Sequence, residues 1–176
     1  LIGRLVGSEM CIRDRLISTA EIVIGGKRHL SLIPKTAQEH IIWPSPISIL
    51  LNKLTKFRGT KTCVLATGDP MCYGIGASLC KAFPIQEMII LPSPSALSLA
   101  CARMGWPHQD VELVTLHGRP LAMLGGYLQP LAKIVVLSND ENSPREVAEL
   151  LTEQGFGNSQ ITVLEHMGGS SERRIE

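Results

Sequence analysis

Short apolar runs alternate with helical patterns from Leu16 to the end of the chain. Six runs have the length and composition of strands: Glu21–Gly25, Lys61–Ala66, Glu87–Leu91, Val111–Leu116, Lys133–Ser138 and Ile161–Glu165. Strands this apolar are usually covered on both faces, and helical segments separate most of them along the chain. The pattern therefore predicts an α/β architecture whose sheets are covered by helices.

Serine and proline mark the starts of the predicted helices. Each of three Ser-Pro pairs precedes an apolar periodic segment, and these pairs are Ser45-Pro46, Ser93-Pro94 and Ser143-Pro144. Serine is a preferred N-cap and proline a preferred first helical residue, so Ser45 and Ser143 are predicted caps. With Glu146, Ser143 has the spacing of a capping box. Further helical patterns run over 75–83, 95–104 and, weakened by two glycines, 120–128.

The chain divides into three parts by pattern. Leu1–Arg15 has no strand or helix pattern that leads into the first predicted strand and resembles translated sequencing-adaptor sequence, so we expect it to be non-native. A native N-terminal arm is the alternative. Gly105-Trp106-Pro107 breaks the remainder, which predicts an N-terminal α/β domain over residues 16–106 and a C-terminal one over 107–176.

Composition removes several classes of partner. Lys plus Arg is 17 against 16 for Asp plus Glu, and aromatic residues are 4% of the 176 residues. A net charge of +1 gives no electrostatic basis for binding nucleic acid or an anionic membrane. No apolar run has the length of a membrane span. The five scattered cysteines favour a reducing cytosol, so we expect a cytoplasmic protein.

Two segments between a strand and a helix could form a ligand site. Gly68–Gly76 (GDPMCYGIG) offers glycines for close backbone approach and Asp69 as an acceptor, and Pro92–Ser95 offers hydroxyls and helix-start N–H groups. Ligands of open α/β sheets bind beyond such strand ends. The alternatives are a plain tight turn at Gly68–Pro70 and a simple helix cap at Ser93.

The other candidates are weaker. His117 and Arg119 follow a strand and could meet a carboxylate, or could be a capping histidine and a surface ion pair. Gly25–His29 (GGKRH) is typical of a solvated loop. The dinucleotide-binding motif G-x-G-x-x-G would start at Gly74 and need glycine where Leu79 stands. The P-loop motif would need serine or threonine after Gly26-Lys27, where Arg28 stands. No nucleophile–base set follows from spacing, so an enzyme here would work by positioning its reactants.

Several segments together resemble the tetrapyrrole methylases, and within them the carbon-5 methylating domain of precorrin-6Y and cobalt-precorrin methyltransferases. They follow the family's order: VIGGKRHL (23–30), ATGDPMCYGIGASL (66–79), LPSPSALSLACARMGWP (91–107), LHGRPL (116–121), NDENSP (139–144) and VLEHMGGSSERRIE (163–176). The Gly-Asp-Pro segment and LHGR are the most specific of these.

The resemblance implies two small α/β domains with the cofactor in a cleft between them, commonly in a homodimer. It implies methyl transfer from S-adenosylmethionine to a ring carbon of a corrin precursor in cobalamin biosynthesis. By the same likeness we expect two groups of site residues. Those predicted to bind the cofactor are Asp69, Cys72, Tyr73, Gly74, Ile75, Ser95 and Ala96, and those predicted to bind the tetrapyrrole substrate are His117 and Arg119.

The chain departs from the family pattern at both ends. Nothing matches the family's first strand and its G-x-G-P-G-type loop, and the chain stops at Glu176, before the family's closing strands. We therefore expect a tetrapyrrole methylase fold without its first strand, and two incomplete domains. The competing hypotheses are an inactive fragment, a small-ligand-binding α/β module without catalysis, and a relative that acts on a non-tetrapyrrole substrate.

Overall fold

The computed structural model describes residues 8–34 and 38–176. The chain forms two compact units, Leu1–Ser93 and Pro94–Glu176. The predicted division into two domains after Trp106 stays a prediction. The non-native origin of Leu1–Arg15 also stays a prediction, and residues 1–7 of this segment lie outside the described residues. No described helix is long and apolar enough to cross a membrane.

The first unit is built on a small parallel sheet. Its elements are α1 (Ser8–Thr19), β1 (Ile22–Gly25), α2 (Lys27–Ser31), β2 (Glu39–Ile42), α3 (Ile47–Lys56), β3 (Thr62–Val64) and α4 (Ile75–Ala82), and then a 3-10 helix (Ile85–Glu87). The strand order is β2-β1-β3, and both pairings are parallel. All four residues of β1 are buried because strands flank it on both sides.

The core of this unit joins β1 to α3. Ile22 and Ile24 of the strand pack with Leu50 and Leu54 of the helix, and Ile24 and Leu50 are fully buried. The helical spacing of the two leucines puts them on one face of α3. Ile47 and Leu51 continue this spacing in the sequence; Leu51 is half-buried, and the side chain of Ile47 lies outside the described residues.

The second unit combines two short sheets with helices. It contains α5 (Ala96–Met104), β4 (Val111–Thr115), β5 (Lys133–Leu137), α6 (Ser143–Glu153), β6 (Val163–Glu165) and β7 (Arg173–Ile175), with 3-10 helices at His108–Asp110 and Leu121–Tyr127. Strands β4 and β5 are parallel, whereas β6 and β7 form an antiparallel pair. Val114, Leu116, Leu124 and Val147 form the core.

The predicted strand at Glu87–Leu91 is wrong. Residues 85–87 form a 3-10 helix, and residues 88–91 have no regular secondary structure and no sheet partner among the described residues. Strand β3 is the edge of its sheet, and a cavity of about 890 Å³ is lined by both β3 and residues 88–91. An apolar run becomes a strand only where a neighbouring strand pairs with its N–H and C=O groups, and none of the described strands pairs with residues 88–91.

Two predicted helix caps are also wrong. Pro46, not Ser45, is the N-cap of α3, and no side chain caps that helix. Asn142 is the N-cap of α6, and the Ser143 hydroxyl instead accepts the backbone N–H groups of Asn139 and Asp140 at 3.0 and 3.1 Å. A serine hydroxyl bonds whichever N–H the local turn presents, so the Ser-Pro pattern alone does not fix the cap position.

Five elements were missed or misassigned. Sequence patterns predicted no helix before Leu16, a solvated loop at Gly25–His29, and no strand at β2 or β7, whereas the structure has α1, α2 and both strands. The segment predicted as a helix over Pro120–Leu128 is a 3-10 helix over Leu121–Tyr127. Gly125 and Gly126 lower its α-helical propensity. The α/β class itself is confirmed.

Candidate functional site

The carboxyl ends of β1 and β3 lie at the same edge of the first unit's sheet because the two strands are parallel neighbours. Helix α2 follows β1 there, and the loop from Leu65 to Gly74 follows β3. Open α/β sheets bind their ligands at this edge. Five of the predicted cofactor residues, from Asp69 to Ile75, therefore lie where a ligand is expected.

Asp69 organises the loop that contains it. Its Oδ1 accepts a hydrogen bond from the Met71 N–H at 2.8 Å, and its carbonyl accepts one from the Cys72 N–H at 3.2 Å. The Gly76 N–H, in the first turn of α4, donates to the Pro70 carbonyl at 2.9 Å. These bonds close an Asx-type turn directly against the start of the helix.

The glycines of this loop are required by its own packing. A Cβ on Gly74 would lie 2.6 Å from the Pro70 carbonyl oxygen, and one on Gly76 would lie 2.7 Å from the same atom. Real Cβ atoms do not approach a carbonyl so closely. The sequence pattern predicted glycines for close approach of a ligand, whereas here they let α4 begin against Pro70.

The side chains of the loop differ in exposure. Tyr73 is 51% exposed and has a positive φ of 53°, and Met71 is 47% exposed. Cys72, Gly74 and Ile75 are half-buried. The loop thus presents backbone and a few side chains to solvent beside a fixed turn, and the cofactor-binding roles of its residues stay predictions.

Ser95 and Ala96 lie in the second unit, at the start of α5. The Ser95 hydroxyl accepts the Ser98 N–H at 3.1 Å, and the Ser95 residue is only 8% exposed. Ser95 is therefore the N-cap of this helix, whereas the Ser93-Pro94 pair that suggested a cap lies before it. Ala96 is exposed, and its N–H belongs to the first helical turn, where no earlier carbonyl of the helix is available.

His117 and Arg119 follow β4 in the second unit. The turn contains Gly118 with a φ of 66°, and the Arg119 N–H donates to the Leu116 carbonyl at 3.1 Å. The His117 N–H donates to the Thr115 hydroxyl at 3.2 Å. Both residues are exposed, so both side chains are accessible to a large ligand, and their substrate-binding role stays a prediction.

One residue at the edge of the first sheet was missed. His29 Nε2 lies 2.7 Å from the Thr67 hydroxyl, which directly precedes Gly68-Asp69. The missed signal is the position of His29 four residues after Gly25, at the carboxyl end of a buried strand. A glycine-rich segment at such a strand end should have been kept as a site candidate.

The described part of the chain has no cluster of three or more His, Cys, Asp or Glu residues with the arrangement of a metal site. Cys63 lies on β3, and burial raises the pKa of its thiol. A raised pKa keeps the thiol protonated at neutral pH, so Cys63 is a poor nucleophile.

Comparison with known proteins decides the family. The family described as Tetrapyrrole (Corrin/Porphyrin) Methylases matches residues 14–176. The chain belongs to this family. A precorrin-6Y C(5,15)-methyltransferase [decarboxylating] of Sinorhizobium sp is 44% identical over 161 residues, which are 90% of this chain and 39% of that protein. A cobalt-precorrin-7 C(5)-methyltransferase of Salmonella typhimurium is 32% identical over 157 residues, 89% of this chain and 77% of that protein.

The tetrapyrrole methylase fold is also seen in a solved relative. The uroporphyrin-III C-methyltransferase of Thermus thermophilus, solved in complex with S-adenyl homocysteine, has a TM-score of 0.64 at 19% identity and covers 92% of this chain and 77% of its own. This likeness confirms the tetrapyrrole methylase fold, whereas the missing first strand stays a prediction. The chain spans about two fifths of the length of the precorrin-6Y relatives that it matches.

Proposed function

We propose that this chain methylates a ring carbon of a corrin precursor, precorrin-6Y or cobalt-precorrin-7, with S-adenosylmethionine as methyl donor in cobalamin biosynthesis. The observation that carries the proposal is the match of about nine tenths of the chain to two sets of relatives. The first set is named for carbons 5 and 15 of precorrin-6Y and the second for carbon 5 of cobalt-precorrin-7, so carbon 5 is common to both names. Carbon 5 is therefore the proposed position of the transferred methyl group.

S-adenosylmethionine, when bound, supplies a methyl group that is already electrophilic. The protein then needs no nucleophile of its own, and its task is to align the donor with the acceptor carbon and to exclude water. The site residues described above suit this task, since they offer turns and helix-start N–H groups in place of a nucleophile–base pair. The raised pKa of the Cys63 thiol is consistent with a site that uses no protein nucleophile.

The loop around Asp69 fits a nucleoside that carries hydroxyl and amino groups. One carboxylate oxygen of Asp69 accepts the Met71 N–H, and a carboxylate has further lone pairs for ligand donors. The exposed Tyr73 lies in the same loop, next to Cys72 and Gly74. We infer that Asp69, Cys72, Tyr73, Gly74 and Ile75 hold the donor in the first unit.

For the second unit, taken by itself, the proposed cofactor-binding residues are Ser95 and Ala96, since the first turn of α5 presents N–H groups that no helical carbonyl takes up. His117 and Arg119 are the proposed substrate residues. A guanidinium binds carboxylates in a bidentate manner, and corrin precursors carry several carboxylate side chains.

Two measurements test the proposed function. Isothermal titration with S-adenosylmethionine and S-adenosylhomocysteine should show saturable heat with both, and incubation with each corrin precursor should add the mass of one methyl group. Heat without methyl transfer would support a ligand-binding module without catalysis, and no heat with either nucleoside would support an inactive fragment. Arg119→Ala should weaken substrate affinity, and an unchanged affinity would remove Arg119 from the substrate site.

We also propose a cytoplasmic homodimer. The scattered cysteines support a reducing compartment, and the family likeness supports the dimer. Sedimentation equilibrium of the purified chain tests the dimer, and a single species of 19.2 kDa would contradict it.

A further inference from the structure

His29 connects the ends of two parallel strands at the site edge. It lies in α2, directly after β1, and its Nε2 is 2.7 Å from the hydroxyl of Thr67, which follows β3. Thr67 immediately precedes the Gly68-Asp69 turn. The hydrogen bond therefore joins two chain segments that are 38 residues apart, at the edge where a ligand is expected.

Gly25 leaves space for the His29 side chain. A Cβ on Gly25 would lie 3.3 Å from the His29 Cβ and 3.2 Å from the Leu65 side chain, and one on Gly26 would lie 3.4 Å from His29 Nδ1. The Gly25 contacts are tighter than ordinary van der Waals separation. A side chain at position 25 would therefore crowd His29 at its Cβ, whereas one at position 26 would make only an ordinary contact with the imidazole ring.

The surroundings of the ring select one tautomer. His29 Nδ1 is buried and has no hydrogen-bond partner among the described residues. An unpaired N–H donor buried from water is rarely tolerated, whereas an unpaired acceptor is somewhat less rare. The geometry thus assigns the donor N–H to Nε2, which donates to the Thr67 oxygen. The hydroxyl proton of Thr67, an exposed residue, then stays available to another acceptor.

We propose that His29 is a positioning residue of the methyl-transfer site, which fixes the Thr67 hydroxyl so that this hydroxyl donates a hydrogen bond to an acceptor oxygen of the bound ligand. The inference rests on the proposed function and adds two residues to its site. A hydroxyl that accepts one hydrogen bond becomes a better donor in another. The hydrogen bond from His29 should therefore strengthen the one that Thr67 donates to the ligand.

The ligand-free chain provides the first test. Long-range ¹⁵N–¹H correlation spectra should show His29 with a protonated Nε2 and an unprotonated Nδ1, with the signal assigned by its absence in His29→Leu. Amide hydrogen exchange at Gly68, Asp69 and Met71 should be faster in His29→Leu than in the unchanged chain. A protonated Nδ1, or unchanged exchange in this turn, would overturn the positioning role whether or not the chain methylates corrins.

Kinetic variants provide the second test. His29→Leu and Thr67→Val should each lower kcat/KM for the corrin precursor by about tenfold, the size of one lost hydrogen bond. The double variant should lose no more than either single variant, because His29 acts through Thr67. His29→Gln, which keeps a donor near the Nε2 position, and Thr67→Ser, which keeps the hydroxyl, should recover most of the rate.

A control on the same helix separates this role from simple support of the fold. The Ser31 hydroxyl donates to the Arg28 carbonyl within α2, so Ser31→Ala alters the helix without touching the His29–Thr67 pair. It should leave kcat/KM unchanged. If the losses of His29→Leu and Thr67→Val multiply in the double variant, or if only the melting temperature falls, the proposal is wrong. Absence of any turnover in the unchanged chain would instead contradict the proposed function.

Discussion

Gly76 shows at the scale of a single residue why helix propensity does not decide stability in the Asp69 loop. It lies in α4, where alanine would normally be preferred over glycine by about 1 kcal/mol. An added Cβ would nevertheless lie 2.7 Å from the Pro70 carbonyl oxygen and 2.9 Å from the Met71 sulfur. The methionine can move, but the carbonyl accepts the Gly76 N–H and is held in place.

We therefore expect Gly76→Ala to destabilise the chain by about 1–2 kcal/mol, because overpacking against backbone outweighs the gain in propensity. The measurement is the free energy of unfolding in urea. Gly125→Ala is the matched control, since a Cβ there meets nothing within 4 Å and no positive φ opposes it. That change should be neutral or stabilise by up to about 1 kcal/mol. An increase in the free energy of unfolding on Gly76→Ala would contradict this expectation and would show that the loop moves to accommodate the added Cβ.

The site residues also differ in how far sequence could identify them. Asp69 and Ser95 were proposed because glycine, proline and serine lie between predicted elements there and because both segments resemble the family, and their cofactor roles stay predictions. His29 was missed because its role depends on β1 and β3 being adjacent parallel strands, which pairing in the folded sheet establishes and a local pattern does not. The structural reason why Gly74 and Gly76 must be glycine was missed on similar grounds, because an added Cβ would clash with the Pro70 carbonyl oxygen, whose position depends on the folded loop.

Helix caps give a prediction at the scale of one element. Sequence patterns proposed Ser45 as the cap of α3, whereas the structure has a serine cap at Ser95 of α5 and no side-chain cap on α3. Ser95→Ala should cost about 1 kcal/mol of unfolding free energy, the usual value of a lost N-cap. Ser45→Ala, at an exposed position, should change stability by less than about 0.5 kcal/mol. Equal losses from the two variants would contradict this assignment of caps.

Packing in the first unit gives a second prediction at this scale. Leu50 of α3 is fully buried in the core, whereas Leu79 of α4 is half-buried and lines the cavity of about 890 Å³. Leu50→Ala should cost about 2–5 kcal/mol, because it removes a buried side chain and leaves a void. Leu79→Ala should cost clearly less, since its side chain already borders open space. Denaturant unfolding of both variants compares them, and a larger loss at Leu79 would mean that the cavity is filled.

The strand prediction at Glu87–Leu91 failed for a reason that also belongs to elements. The run EMIIL has the composition of a buried strand. Composition, however, indicates only that a segment suits a sheet, and the segment becomes a strand when an adjacent strand pairs with it. Ile22–Gly25 became a strand because β2 and β3 flank it on both sides. Residues 88–91 line the cavity, and none of the described strands pairs with them.

At the scale of the whole molecule, alternation predicted the α/β class correctly because it needs only the order of elements. Strands β1, β3, β4, β5 and β6 all fall within predicted runs. The short strands β2 and β7 were not predicted because neither EHII nor RRI has the apolar composition of a buried strand. Their residues are mostly exposed, and pairing with a neighbour, which one sequence does not reveal, makes them strands.

Acid stability should depend on Glu172. Arg103 donates two hydrogen bonds to its carboxylate, and the Gly168 N–H donates a third at 2.6 Å. These bonds lower the pKa of Glu172 from 4.5 to about 2. The pKa of Asp140 is also lowered, mainly because it accepts the Asn142 N–H. Both residues belong to the second unit.

A carboxylate whose pKa is lower in the folded state stabilises the fold above its unfolded pKa, and this contribution disappears as the pH falls toward the folded value. The melting temperature should therefore decrease as the pH falls from about 4.5 toward about 2. Glu172→Gln should melt lower at neutral pH, because it loses a charged partner of Arg103, and should show a shallower decrease on acidification. Glu153→Gln, at an exposed position at the end of α6, is the control and should keep the slope of the unchanged chain. Equal slopes for Glu172→Gln and the unchanged chain would show that this carboxylate is not linked to folding.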